Sequence, residues 1–281
     1  MLAGIDISHW QNDIKWGEVK RSGVKFAFIH ATEFSTRSTQ LSVSPKLMSN
    51  IYAAQAHDIH WSAYHHFCTH IDPIIQAEAY LRSVGTCGSL PPSVKLAQAG
   101  IKAERLNYKL RLFLEKIEKN LNRKAIICTS RVFWQTYMTA EQEAITDWAR
   151  EYPLWLIQFN AMWPTPMYPW AGWGFWQYTD DGRLPGIRTD VKMNWFNGGE
   201  EDLVKQFLDY EQEGVSDMAT SESNNPTQPQ LDKYAEDKQN KDPDTLVGKV
   251  EDPHEHLKDD FPSHLPKDGN WVDSYFFHNQ D

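Results

Sequence analysis

Gly4-Ile5-Asp6-Ile7-Ser8-His9-Trp10-Gln11 sets the organisation of this chain. With Leu2 and Ala3 before it, the segment is a short apolar run that ends at polar Ser8 and His9, the pattern of a buried strand. Further apolar runs of the same kind stand at 24–30, 61–67, 93–97, 124–129, 154–159 and 174–178. Helix candidates lie between them at 45–57, 73–83, 102–121 and 140–150. The clearest is 102–121, where Leu106, Leu110, Phe113, Leu114, Ile117 and Leu121 recur at helical spacing and charged residues occupy the other face. Alternating strands and helices argue for a parallel barrel or a doubly wound sheet. No GxGxxG or GxxxxGK[ST] loop interrupts the pattern, which disfavours nucleotide binding.

A chain of 281 residues can hold one large domain or two small ones, and its charge divides it. Residues 211–281 carry 17 Asp and Glu against 6 Lys, so the net charge of −10 belongs to this tail. Residues 1–210 are nearly neutral and show no basic stripe, so nucleic-acid binding is not expected. The tail is rich in Ser, Asn, Pro, Asp and Lys and buries too little apolar area to offset its ordering entropy, so it reads as an extended acidic tether. It ends in an aromatic cluster of Trp271, Tyr275, Phe276 and Phe277, which reads either as a docking peptide or as an inert terminus. Cys68, Cys87 and Cys128 are odd in number and lack CxxC spacing, which points to thiols rather than to disulfides or zinc. The amino terminus has no basic and apolar leader pattern, and no apolar run is long enough to span a bilayer, so neither a signal peptide nor a membrane partner is expected.

The opening segment, with Ile14-Lys15-Trp16 after it, resembles the first strand and turn of the family 25 glycoside hydrolases, the Chalaropsis-type N-acetylmuramidases. The likeness continues through Phe26-Ala27-Phe28-Ile29-His30-Ala31-Thr32-Glu33, Ala63-Tyr64-His65-His66-Phe67 and Leu90-Pro91-Pro92. Leu154-Trp155-Leu156, Phe175-Trp176-Gln177-Tyr178, Leu184-Pro185-Gly186-Ile187 and Asn194-Trp195-Phe196-Asn197-Gly198 follow in the family's order. The resemblance implies an α/β fold, an irregular TIM-like (β/α) barrel over residues 1–210, with its site at the carboxyl ends of the strands.

In that family the site is acidic. One Asp comes from the first strand, an Asp-x-Glu pair from the strand after Leu-Pro-Pro, and another Asp from a final Val-Asp-x-Asn strand. Residues i and i+2 of a strand share a face, so such a pair brings two carboxylates to one sugar. Only the first acid is retained here, as Asp6; Lys95, Ala97 and Lys192 occupy the other positions. Glycoside hydrolysis needs a proton donor and a second carboxylate, and two lysines oppose the positive charge of the transition state. The expectation is a catalytically inactive, lysozyme-like domain that serves as a structural or peptidoglycan-binding component. A phage tail or baseplate is its expected setting, with virion proteins as partners of the tail; bacterial cell-wall association is the other. The alternative is an active peptidoglycan muramidase using relocated acids among Glu33, Asp180, Asp181 and Asp190.

Sugars stack on aromatic faces lined by a few polar groups, which makes Trp10, Glu33, Tyr64, Trp155, Trp176 and Gln177 the expected glycan contacts. Barrels also fill their cores with aromatics, so burial competes with this role. Trp163, Tyr168 and Trp170 lie among prolines and are expected at the surface. His9, His65 and His66 lack carboxylate or Cys partners at ligand spacing, so hydrogen bonding is expected of them, with no metal and no cofactor.

Overall fold

The computed structural model describes residues 1–35, 39–96, 103–139 and 143–208. Chain proximity separates Met1–Ala219 from Thr220–Asp281, and the second unit lies outside the described residues, as do Ala97 and the whole expected tether.

Nine strands form one sheet: β1 (Leu2–Ile7), β2 (Val24–Phe34), β3 (Leu41–Val43), β4 (His60–His66), β5 (Ser93–Lys95), β6 (Ile126–Ser130), β7 (Leu154–Ile157), β8 (Phe175–Gly182) and β9 (Val191–Phe196). Their order is β1-β9-β8-β7-β6-β5-β4-β2-β3, and β1 also pairs with β2, so eight strands close a barrel with β3 appended to β2. Six strands run parallel from β2 through β8, β1 joins β2 in parallel, and β9 is antiparallel to both of its neighbours. The expected TIM-like barrel is thus present, and the antiparallel strand is its irregularity. β3 escapes sequence reading because it has only three residues, all exposed, too few for its Leu41 and Val43 to form a recognisable apolar run.

Helices α1 (Trp16–Arg21), α2 (Leu47–Ala56), α3 (Pro73–Val84) and α4 (Ala103–Leu121) join successive strands. Asp72 caps α3 by accepting hydrogen bonds from the Ile74 and Ile75 amides, and Pro73 sits at the first helical position, where its missing N–H is harmless. α4 buries Leu106, Leu110, Phe113, Leu114 and Ile117, the stripe its sequence specifies. Where a helix was expected at 140–150, a 3₁₀ helix runs Glu143–Glu151, and 140–142 lie outside the described residues.

Alternation along the strands makes two cores. Ile5, Ile7, Ala27, Ile29, Ala63, Val94, Ile127 and Leu156 face the helices. Phe26, Phe28, Tyr64, Cys128, Trp155, Phe175 and Phe196 face inward and fill the barrel. Phe28 stacks on Trp155 with centroids 3.8 Å apart, and Phe175 meets Phe26 and Phe28 edge-on at 5.1 Å. Gly4 is required by this plug, since a Cβ there would stand 2.2 Å from the Phe26 ring.

Candidate functional site: a lysine-centred barrel mouth

The inward alternation that places the aromatic plug continues to the carboxyl ends of the strands. Asp6 on β1, His30 and Glu33 on β2, His66 on β4, Lys95 on β5, Gln177 on β8 and Lys192 on β9 belong to the inward-facing sets. Register brings them around one mouth: Asp6 lies opposite Lys192, Glu33 beside His66, and His66 beside Lys95.

Lys95 is the centre. Its Nζ donates to Asp6 Oδ2 at 2.8 Å and to Gln177 Oε1 at 3.1 Å, with Lys95 4% and Asp6 2% exposed. The ammonium also lies 5.0 Å from the Trp155 ring centroid and 5.5 Å from that of Tyr64, within cation–π range. Burial opposes ionisation of Asp6, but the charges of Lys95 and Lys192 and hydrogen bonds from Lys95 and Tyr64 outweigh it and hold the carboxyl below its usual range. Burial likewise works against the Lys95 ammonium, and the Asp6 carboxylate overrides it, raising its pKa. Lys192 is held below the usual lysine value, first by repulsion from Lys95 and then by burial. Among the described residues Lys192 has no ion-pair partner.

The candidate acids fare differently. Glu33 is half-buried, and burial pushes its carboxyl up against the opposing effect of His9. Asp180 is exposed but close enough to act on Lys95 and Lys192. Asp181 is exposed and hydrogen-bonded to Thr179, while Asp190 pairs with Arg183 at 2.8 Å.

The expected glycan contacts also separate. Trp10 is 71% exposed, whereas Trp155 is fully buried. Stacked on Phe28 and donating to Asn194 Oδ1 at 2.8 Å, Trp155 packs the barrel and offers no free face to a ligand. Trp176 stands one residue from inward Gln177, so it lies on the opposite face, where its Nε1 donates to the Gln158 carbonyl at 2.7 Å. Tyr64 and Gln177 are inward and buried beside Lys95. Trp163 and Tyr168 are exposed as expected; Trp170 is instead buried, its ring against Trp134 and its Nε1 donating to the Tyr152 carbonyl.

Histidine chemistry is where sequence and structure part. His65 hydrogen-bonds Thr32 at 2.8 Å and Gln76 at 3.0 Å, as expected, and stacks on Phe113. His66 does have a carboxylate at ligand spacing: His30, Glu33 and His66 each offer a donor atom, all within 4.8 Å of one another. The cause is a bulge in β2. His30 pairs with Tyr64 but Thr32 pairs with His65, so Ala31 is the extra residue and both His30 and Glu33 face inward. Strict alternation puts residues i and i+3 on opposite faces, which hid this grouping from the sequence pattern. Burial, partly offset by Asp6, lowers the His30 pKa to about 4, and burial with the charge of Lys95 pushes His66 well below its usual value.

The barrel agrees with the comparisons to known proteins. The family model for glycosyl hydrolases family 25 matches residues 5–187. The chain belongs to this family. The uncharacterized protein YegX of Escherichia coli (strain K12) is 30% identical over 215 residues, covering 74% of each chain. Lysozyme M1 of Streptomyces globisporus is 28% identical over 216 residues, covering 72% of this chain and 70% of its own. In structure, the bacterial lysozyme from Streptomyces coelicolor superposes with a TM-score of 0.66 at 26% identity, covering 74% of this chain and 97% of that one. The family 25 fold is therefore kept, with a lysine paired to its first-strand Asp.

Proposed function

We propose that this family 25 domain holds peptidoglycan, or a related acidic glycan, without hydrolysing it. The observation that carries the reading is the 2.8 Å ion pair between Lys95 and Asp6. A carboxylate that accepts a hydrogen bond from a buried ammonium and is kept ionised by it donates no proton to a leaving oxygen. Its charge is also compensated, so it gives little stabilisation to an oxocarbenium-like centre. Lys192, without an ion-pair partner among the described residues, supplies positive charge at the same mouth, suited to the carboxylates and phosphates of bacterial walls. Relatives named as lysozymes support a wall glycan as the ligand class. Exposed Trp10 is the aromatic best placed to meet it.

Purified protein incubated with peptidoglycan sacculi is expected to release no reducing ends above background and to sediment with the sacculi. Lys192→Met is expected to weaken sedimentation. Release of reducing ends that Asp6→Asn abolishes would overturn the reading. One observation favours the muramidase alternative: Glu33 is a half-buried carboxyl with a raised pKa, as a general acid requires. Glu33→Gln should leave reducing-end release at background if the domain only binds, and should abolish it if the relocated acid works. The finer placement in a phage tail or baseplate draws its support from the tethered aromatic cluster of Trp271, Tyr275, Phe276 and Phe277 in the sequence. On that placement, deleting 271–281 detaches the barrel from the particle.

A further inference from the structure

We infer that His30, Glu33 and His66 form a divalent transition-metal site of the zinc type at the barrel mouth. Two imidazoles and one carboxylate, with donor atoms all within 4.8 Å of one another, are a three-ligand set that leaves a further coordination position open. Bonds of about 2.0–2.2 Å to a tetrahedral ion place donors about 3.4 Å apart, so closing the site asks for at most about 1.4 Å of approach. The rings are suitably disposed, with His30 and His66 centroids 5.2 Å apart and inclined at 68°.

A second, independent observation points to a ligand. His30 is 4% exposed, yet its Nε2 has no hydrogen-bond partner among the described residues, an arrangement that is costly unless something else satisfies it. His9 Nδ1 is likewise buried and unpartnered, and His9 is close enough to act electrostatically on both His30 and Glu33. The β2 bulge is what makes the set, because it turns His30 and Glu33 to one face, and bulges commonly re-aim side chains in this way. Two nitrogen donors in three favour zinc, cobalt, nickel or copper over magnesium and calcium, which take oxygen. Charge is the opposing term. Lys95 and Lys192 both act on the two imidazoles and repel a cation; Lys95 is paired with Asp6, whereas Lys192 has no ion-pair partner among the described residues. The site is accordingly of moderate affinity, and removing the Lys192 ammonium should tighten it.

The test is titration of the metal-free full-length protein with Co²⁺, read by visible absorption and followed by displacement with Zn²⁺. His254 and His256 in the tail are replaced by Gln in a parallel background, to remove competing donors. We expect one equivalent in both backgrounds, with an absorption intensity typical of four or five ligands. His66→Gln and Glu33→Gln should each weaken binding by at least the roughly 10- to 100-fold that loss of even an outer-sphere partner produces. Lys192→Met should strengthen it. Zn²⁺ should raise the Tm of the parent but not of His66→Gln, and the metal-free Tm of each variant reports its folding separately. Failure to bind one equivalent in the tail-substituted background, or equal binding by the parent and a folded His66→Gln/Glu33→Gln double variant, overturns the inference. Metal binding is read without glycan, so its outcome is independent of the sedimentation result.

Discussion

The barrel interior has two storeys. Below, Phe26, Phe28, Trp155, Phe175 and Phe196 fill the space with ring-on-ring contacts. Above, Asp6, Lys95, Gln177, His30, His66 and Lys192 place charge and unsatisfied nitrogen in the same cylinder. The lower storey is apolar and tolerates no gap, while the upper is held by one ion pair and a few hydrogen bonds. The difference separates what holds the fold from what sets the chemistry. The mouth of this barrel can hold a buried ion pair between Lys95 and Asp6 because its packing lies one layer below.

The sharpest way to break this contrast is to damage each storey in turn. Trp155→Ala removes a fully buried indole that touches both layers, so a loss of about 3–5 kcal/mol is expected in urea denaturation. Lys95→Met should come next, since stranding the Asp6 carboxylate in a buried setting typically destabilises by about 3–5 kcal/mol. The double variant Asp6→Leu/Lys95→Met should recover most of that loss, because a buried pair replaced by apolar groups is often neutral or better. If the double variant is as unstable as Lys95→Met, the upper storey carries fold stability in its own right and the contrast fails.

The sequence reveals these storeys unequally. Helical spacing in α4 and apolar alternation in the strands follow from burial, so they are visible without coordinates. Asp6, Lys95 and Lys192 are legible because motif order fixes their register. Trp155 and Trp176 are not separable by composition: both are tryptophans in strands, and only the parity of each strand relative to the barrel axis shows that one packs inward and the other outward. The His30, Glu33 and His66 grouping is hidden further, because a one-residue bulge reverses the parity that any periodic reading assumes. The Leu41–Val43 strand has only three residues, and its two apolar side chains are exposed, too short a run to stand out as a strand.

Acid titration separates the storeys by mechanism. His30 and His65 are each depressed by burial to about 4, so between about pH 6.5 and 4 the unfolded chain binds protons that the folded one refuses. Stability is therefore fully present above pH 6.5 and falls as the pH drops towards 4, by up to about 3 kcal/mol per histidine. Asp6, depressed by Lys95, adds its loss only at lower pH, as its carboxyl protonates below the unfolded value. Urea midpoints from pH 7.5 to 4.5 should decline in the parent, and His30→Gln should flatten part of that slope. An unchanged slope would mean that the His30 ring accepts a proton in place, and so is already open to solvent or to a ligand.

The smallest effect is the most discriminating. Lys192 sits opposite Asp6 in the β1–β9 register, yet the Asp6 carboxylate accepts hydrogen bonds from Lys95 and Tyr64, and Lys95 is the main group that lowers the Lys192 pKa. Lys192→Met removes that repulsion while keeping an unbranched chain of similar length. It should leave stability within about 0.5 kcal/mol of the parent, with the sign towards stabilisation. A destabilisation well beyond that figure would show that Lys192 shares the Asp6 charge, making the mouth a two-lysine cluster held by one acid. A neutral result, together with weaker sedimentation on sacculi, would place Lys192 outside the structural pair and leave its charge for a ligand.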